Sequence, residues 1–123
     1  MLLSDIYETA AALLTELPDG ADNADLRARS VGILYQAVCE LAPLDGDATG
    51  AVNGYPEKFV SLDEPFPLCD GLAHICAYKL AYLLAADENT VLYSVLRAEY
   101  ENARRAYIAS LPAAISGTVS VYG

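Results

Sequence analysis

The chain has no tryptophan, a single histidine and only seven basic residues against seventeen acidic ones. At a net charge of −10 its surface repels phosphate, which argues against a role gripping a nucleic-acid backbone. Such a surface fits one that nucleic acid passes without sticking, and equally a plain need for solubility. Nine tyrosines without basic neighbours are a poor stacking platform for bases. A lone His74 gives no base with a nucleophile beside it, and reads as an ordinary helix histidine. No G-x-G-x-x-G, G-x-x-x-x-G-K-[ST] or H-E-x-x-H is present. Gly46, Gly50 and Gly54 sit among acids with no following lysine, the wrong setting for a phosphate cradle. No enzyme and no cofactor are expected.

Three cysteines, Cys39, Cys69 and Cys76, are an odd count without paired spacing. They do not read as a disulfide framework, and point to a reducing compartment. On a helix Cys69 and Cys76 share a face while His74 points elsewhere, so buried free thiols are expected rather than a metal site. The longest apolar run, Leu72 to Ala86, is short for a bilayer and contains His74 and Lys79, so no membrane span is expected. MLLSDIYE has no basic start, so no leader is expected, and synthesis in a cytoplasm is. No repeat or low-complexity stretch appears.

What is present is apolar and helical. A chain of 123 residues, 54% hydrophobic and 20% charged, has the size of one domain and too much apolar content for disorder. The reading is a mainly α fold over residues 1–112: four helices, with a long loop holding a possible short strand between the second and third. An extended arm follows over residues 113–123. The first helix is expected from about Asp5 to Leu17, with Ser4 as N-cap and Pro18-Asp19-Gly20 as its stop. The second, capped by Asp22 or Asn23, buries Leu26, Ile33, Leu34, Ala37, Val38 and Leu41 and ends at Pro43. Gly32 in its middle costs about 1 kcal/mol relative to alanine, which a closely approaching helix would justify.

From Pro43 a connection runs to Pro67, long enough to be functional or mobile, with Lys58 to Leu62 as the possible strand. The third helix lies within Pro67 to Glu88, with Asp70 as its cap. Apolar on nearly every side, it calls for more neighbours than one short chain supplies, and so for a partner subunit. The fourth helix runs from Thr90 to Ser110 behind an Asn89 cap. Its buried stripe is read as Leu92, Val95, Leu96, Ala103, Ala106 and Tyr107, extended by Tyr100. Glu101 and Arg105 are placed for an i,i+4 pair. The tail AAISGTVSVYG carries no charge, and its alternating Thr118–Tyr122 either pairs with another segment or frays.

Three stretches, LDEPFPLCDGLAHICAYKLAYLLAADEN, YENARRAYIASLP and the closing SVYG, resemble the head–tail connector (adaptor or head-completion) proteins of tailed phages and prophages. The likeness covers somewhat more than half the chain and includes no catalytic signature. It departs at Asp70-Gly71, where a charged residue would be expected in place of the glycine. The resemblance implies a homo-oligomeric ring, commonly of twelve copies, under the portal protein at the capsid vertex. A tail-side completion or tail terminator protein would attach below, and DNA would pass through without sequence-specific binding. It also implies a virion location at the head–tail interface. The family has no fixed contact motif, so partner-contact residues are chosen by chemistry. In the loop these are Phe59, Val60, Leu62 and Phe66. On the fourth helix they are Arg97, Arg104 and Arg105, and in the arm Val119, Val121 and Tyr122. Two alternatives stay open: another virion component, such as a tail-completion or portal-associated protein, and a small acidic helical regulator of a cellular protein.

Overall fold

The computed structural model describes residues 1–14, 24–49, 57–86 and 89–111, with side chains withheld at 46–49. It is mainly helical. Four α-helices lie among the described residues: α1 Leu3–Leu13, α2 Ala24–Thr49, α3 Ala73–Ala85 and α4 Thr90–Ala109. A 3-10 turn, Asp70–Leu72, leads into α3.

The core is built on α3. Its sequence, AHICAYKLAYLLA, is free of glycine and proline and rich in alanine and leucine, which favours a helix. Alanines at 73, 77, 81 and 85, spaced four apart, form one small-residue stripe along which a neighbouring helix can come close. α1, α2 and α4 all pack along it. Ile75, Cys76, Leu80 and Ala81 are fully enclosed, and only His74 of the helix is exposed. Each large aliphatic side chain so enclosed stabilises the fold by about 1.5–3 kcal/mol. The expectation that α3 needs a partner subunit to cover it is thereby corrected. Three helices of its own chain do so, because each brings its stripe to a different side of one thirteen-residue rod.

α2 also corrects the sequence reading. It continues through Pro43 to Thr49. Proline inside a helix has no N–H for the carbonyl four residues back and crowds it. Here the apolar register persists beyond it, with Leu41, Ala42 and Leu44 all buried. The buried Asp45 follows, and its Oδ1 accepts the Cys69 N–H at 3.0 Å, tying the end of α2 to the approach of α3. Burial on both sides of Pro43 outweighs the local penalty. The stripe expected at Leu26, Leu34, Ala37, Val38 and Leu41 is buried, with Ile33 packed at its margin. Gly32 is exposed, and nothing among the described residues lies within 4 Å of where its Cβ would be. No described helix accounts for it.

α1 begins earlier and ends earlier than expected. Ser4 is not its cap: the Ser4 N–H donates to the Leu62 carbonyl at 2.8 Å, from inside the first turn. Leu2 holds the cap position, and its N–H donates to Asp5 Oδ2 at 2.8 Å. Leu14 is extended, so the helix stops after Leu13 rather than at Leu17. Two further bonds, Leu3 N–H to the Glu64 carbonyl and Phe66 N–H to the Met1 carbonyl, stitch the first residues to the segment before α3. That segment is not a strand. Only an isolated bridge, Leu2 to Pro65, forms there, because Glu64 bends the chain by accepting the Val60 and Ser61 N–H groups on one carboxylate oxygen. These bonds hold the Glu64 carboxyl below the usual carboxylate range.

α3 starts at Ala73, not behind an Asp70 cap; Cys69 precedes the 3-10 turn. Gly71 in that turn has a packing reason. A Cβ there would lie 3.1 Å from the Tyr107 ring of α4. α4 starts as expected, with Asn89 Oδ1 accepting the Leu92 N–H at 3.0 Å. The expected stops at Pro18–Gly20 and Asp87–Glu88, the Asp22 or Asn23 cap and the arm over residues 113–123 lie outside the described residues.

Candidate functional site

Two surfaces stand out, on opposite sides of the α1–α3–α4 layer. α1 and α4 pack along α3 rather than against each other. Tyr100, Leu96, Tyr107 and Ala103 turn toward α3, which puts Val91, Val95, Ala98, Asn102 and Ala109 in one stripe on the outer side of α4. All five are exposed. Val91 is 74% and Val95 54% accessible; Ile108, 40% accessible, lies near the other end of α4 on a different flank. Val95 and Ala106, expected in the buried stripe, therefore belong to the outside. Tyrosines at 93, 100 and 107, recurring every seven residues, take the inner positions.

Arg105 is exposed beside this stripe, and Arg97 is exposed on the flank of the helix that Ile108 shares. Glu101 faces Arg97 at 3.9 Å, not the expected Arg105; the pair is half-exposed and contributes little. Arg104 turns inward and is partly buried, with its Nε enclosed and making no hydrogen bond. Arg97 and Arg105 thus remain surface groups, whereas Arg104 faces the protein.

Beneath Arg104 lies a polar cluster that the sequence reading missed. Lys79 Nζ is 2.9 Å from Glu40 Oε2 and donates to the Tyr82 hydroxyl at 2.8 Å. The Tyr100 hydroxyl donates to the same Glu40 oxygen at 3.0 Å. Lys79 also sits 5.2 and 5.1 Å from the Tyr82 and Tyr100 ring centres, in cation–π range. Burial pushes the Glu40 carboxyl up. Lys79, the Tyr100 hydroxyl and Arg104 more than offset this, and leave it below its ordinary range. Burial likewise lowers Lys79, and Tyr82 and Glu40 bring it above its usual value. The Tyr100 hydroxyl is raised by burial and by the Glu40 charge. The cluster joins α2, α3 and α4 and is occupied by its own partners. The signal for it was a lysine inside an otherwise apolar, tyrosine-rich run.

On the other flank a cleft of about 260 Å³ opens between α1 and the start of α3, lined by Met1, Asp5, Ile6, Thr9, Asp70, Ala73 and His74. Two carboxylates face it, and the exposed Met1 lines it too. His74 touches Tyr78 edge-on with ring centres 6.4 Å apart. Among the described residues no three His, Cys, Asp or Glu side chains are grouped closely enough to hold a metal. No described helix is long and apolar enough to cross a membrane.

The loop candidates divide. Val60 is exposed, whereas Leu62 and Phe66, at 5% and 8% accessible, are part of the chain's own core. Phe59 is partly covered and meets the Tyr35 ring edge-on at 5.5 Å. Val119, Val121 and Tyr122 lie outside the described residues. Of the thiols, Cys76 is enclosed, and burial pushes it up to about 12. Cys39 and Cys69 are only partly covered, Cys69 with its sulfur 3.3 Å from the Tyr107 hydroxyl. No family model, curated protein or solved structure matches the chain.

Proposed function

We propose that this chain is a structural protein of tailed-phage or prophage particles, repeated as a ring that joins the portal to the tail and extends the DNA channel. The observation that carries the reading is the run from Leu62 to Leu111. Its wording resembles that of head–tail connectors, and it forms the central helix α3 and its neighbour α4. Three further features support it. The fold is mainly helical. The outer side of α4 is an apolar, partly cationic face. A net charge of −10 lets DNA pass without adhering. The covering of α3 by its own chain removes one reason to expect partners, so the reading rests on the resemblance and on α4.

In this role the chain is made in the host cytoplasm and incorporated in the virion, with the portal on one side of the ring and a tail-side completion or terminator protein on the other. The test is to mix the purified protein with the portal encoded in the same genome and image the product by electron microscopy. A ring of added density on the portal is the expected result. A portal left bare at saturating protein overturns the reading. Removing residues 118–123 is expected to preserve helix content by circular dichroism and to weaken co-purification with the portal. Undiminished co-purification would refute a docking role for the arm.

A further inference from the structure

We infer that the segment 113–123 folds back on its own chain and lies along the outer face of α2, in the groove between that helix and the loop 57–63. This goes beyond the connector reading and does not rest on it. The groove follows from helical phase. Ala28, Val31, Gly32, Tyr35, Cys39 and Pro43 fall within about a third of the circumference of α2, and no charged residue between positions 28 and 43 shares that arc. Ala28, Gly32 and Pro43 are exposed, and the other three are only partly covered. Phe59, edge-on to Tyr35, and Val60, 87% accessible, wall one side. Val60 is the most exposed large apolar side chain among the described residues, and with Ala28 and Val31 it lines an open cleft of about 300 Å³. Arg27 and Asp63 are the charged residues of that lining, so it carries no net charge. The bare backbone at Gly32 lets another segment approach closely at the middle of the groove. A contiguous apolar face of this kind marks a contact surface.

Charge and reach choose the occupant. A neutral groove gives a charged partner nothing to hold, and of the stretches outside the described residues 112–123 is the longest and carries no charge. Laid out extended, it puts Ile115, Val119 and Val121 on one side and Ser116, Thr118, Ser120 and Tyr122 on the other, an apolar edge for an apolar groove. It also starts at the right end. The Tyr107 hydroxyl reaches the Cys69 sulfur at 3.3 Å, and the Cys69 N–H donates to Asp45 Oδ1 at 3.0 Å. The last turn of α4 therefore stands close to Asp45, two residues past Pro43. From Pro43 to Ala28 the groove runs about 22 Å. Twelve residues beyond Leu111 span about 40 Å when extended, enough to cross from α4 and then follow the groove. Tethered beside the groove, the arm has an effective concentration there on the order of millimolar, above that of the arms of other copies in dilute solution.

The test is made in the full chain, which has no tryptophan of its own. Val60→Trp places a single indole on the wall of the groove, where its emission is expected at short wavelength and poorly quenched by iodide. Two further changes are added to it separately. Gly32→Glu puts a charge in the floor of the groove, and Val119→Asp with Val121→Asp spoils the apolar edge of the arm. Each is expected to shift the emission to that of an indole in water, with helix content kept by circular dichroism. A second measurement needs no indole: alkylation of Cys39, on the same face of α2, followed by peptide mass mapping. It is expected to run at least about fivefold faster with Val119→Asp and Val121→Asp than in the unaltered chain, since a covered thiol reacts only while its cover is open. An emission that either change leaves where it was, or a Cys39 labelled equally fast with either arm, overturns the inference. So does an emission that moves to shorter wavelength as protein concentration rises, because another copy would then be filling the groove. Should Val60→Trp lose helix content, the labelling of Cys39 decides alone.

Discussion

Replacing Pro43 by alanine is expected to stabilise the protein, and the size of the gain measures how far the second helix really runs. Pro43 stands six residues before the last residue of α2, Thr49. Proline in a helix interior is about 3 kcal/mol less favourable than alanine, through the missing N–H and the crowding of the preceding turn. Only a turn and a half of helix follows, so part of that penalty is already relieved by adjustment near the end. The expected gain is about 1–3 kcal/mol. For a chain between the small and mid-sized domains this raises the midpoint of thermal unfolding by about 4–12 °C. The side chain at 43 is exposed, so alanine leaves no cavity. Urea unfolding followed by circular dichroism gives the same quantity independently, with an unchanged slope if the effect is confined to the native helix. If α2 stopped before Pro43, alanine would instead loosen the unfolded chain and cost about 0.4–1 kcal/mol. A neutral or negative result would refute a continuous α2. It would also remove the geometric basis for Asp45 reaching the Cys69 N–H.

Three other outcomes are expected. Asn89→Ala should cost about 1 kcal/mol in urea unfolding by removing the acceptor for the Leu92 N–H; no change would mean that α4 is capped by another group. Under native conditions a thiol-specific alkylating reagent at mildly alkaline pH should modify Cys39 and Cys69 and spare Cys76, which burial keeps protonated up to about 12. Mass mapping of the labelled peptides decides this, and rapid modification of Cys76 would show that α3 is not enclosed as described. Stability should be flat across neutral pH and fall on both sides. Glu40 and Glu64 have lowered folded-state values, so their contribution is present above the ordinary carboxylate value near about 4.3 and is lost as pH falls through the folded values. Cys76 and Lys79 have raised values, so theirs is present below their ordinary values, about 8.5 and 10.4, and is lost as pH rises. Urea midpoints against pH test the shape, and Glu40→Gln should shallow the acid limb; an unaltered acid limb would exclude Glu40 from it.

The parts of the fold legible in the sequence were those decided within a few residues. Asn89 is a local cap, and the α2 stripe is a local period, and both stand as read. Pro43 was misread because its rule is local while the deciding effect is tertiary: Leu44 and Asp45 are held beyond it by burial and by the bond to Cys69. Ser4 was misread for the same reason. A serine before an acidic turn looks like a cap until Leu62 supplies a carbonyl from the far end of the chain. The partner-hungry appearance of α3 reflected composition alone, which cannot say that three other helices of the same chain converge on it. On α4 the stripe read through Leu92, Leu96, Tyr100, Ala103 and Tyr107 does face the core, but it also took in Val95 and Ala106, which are exposed, and left out Tyr93. Tyr93, half polar, is easily left out of an apolar count. Of the candidate contacts, Arg97 and Arg105 were placeable from helical phase, but Leu62 and Phe66 were not, since an alternating loop does not reveal which side it buries.

The stitch between residues 1–4 and 62–66 has a consequence for the order in which the molecule assembles itself. α3 and α4 are neighbours along the chain and can meet within a short hairpin, at small entropic expense. Fastening α1 requires closing a loop of roughly sixty residues before its three backbone bonds return anything. Contacts between α3 and α4 are therefore expected to form before α1 is fastened, leaving the groove for Leu3, Ile6 and Tyr7 to be filled last.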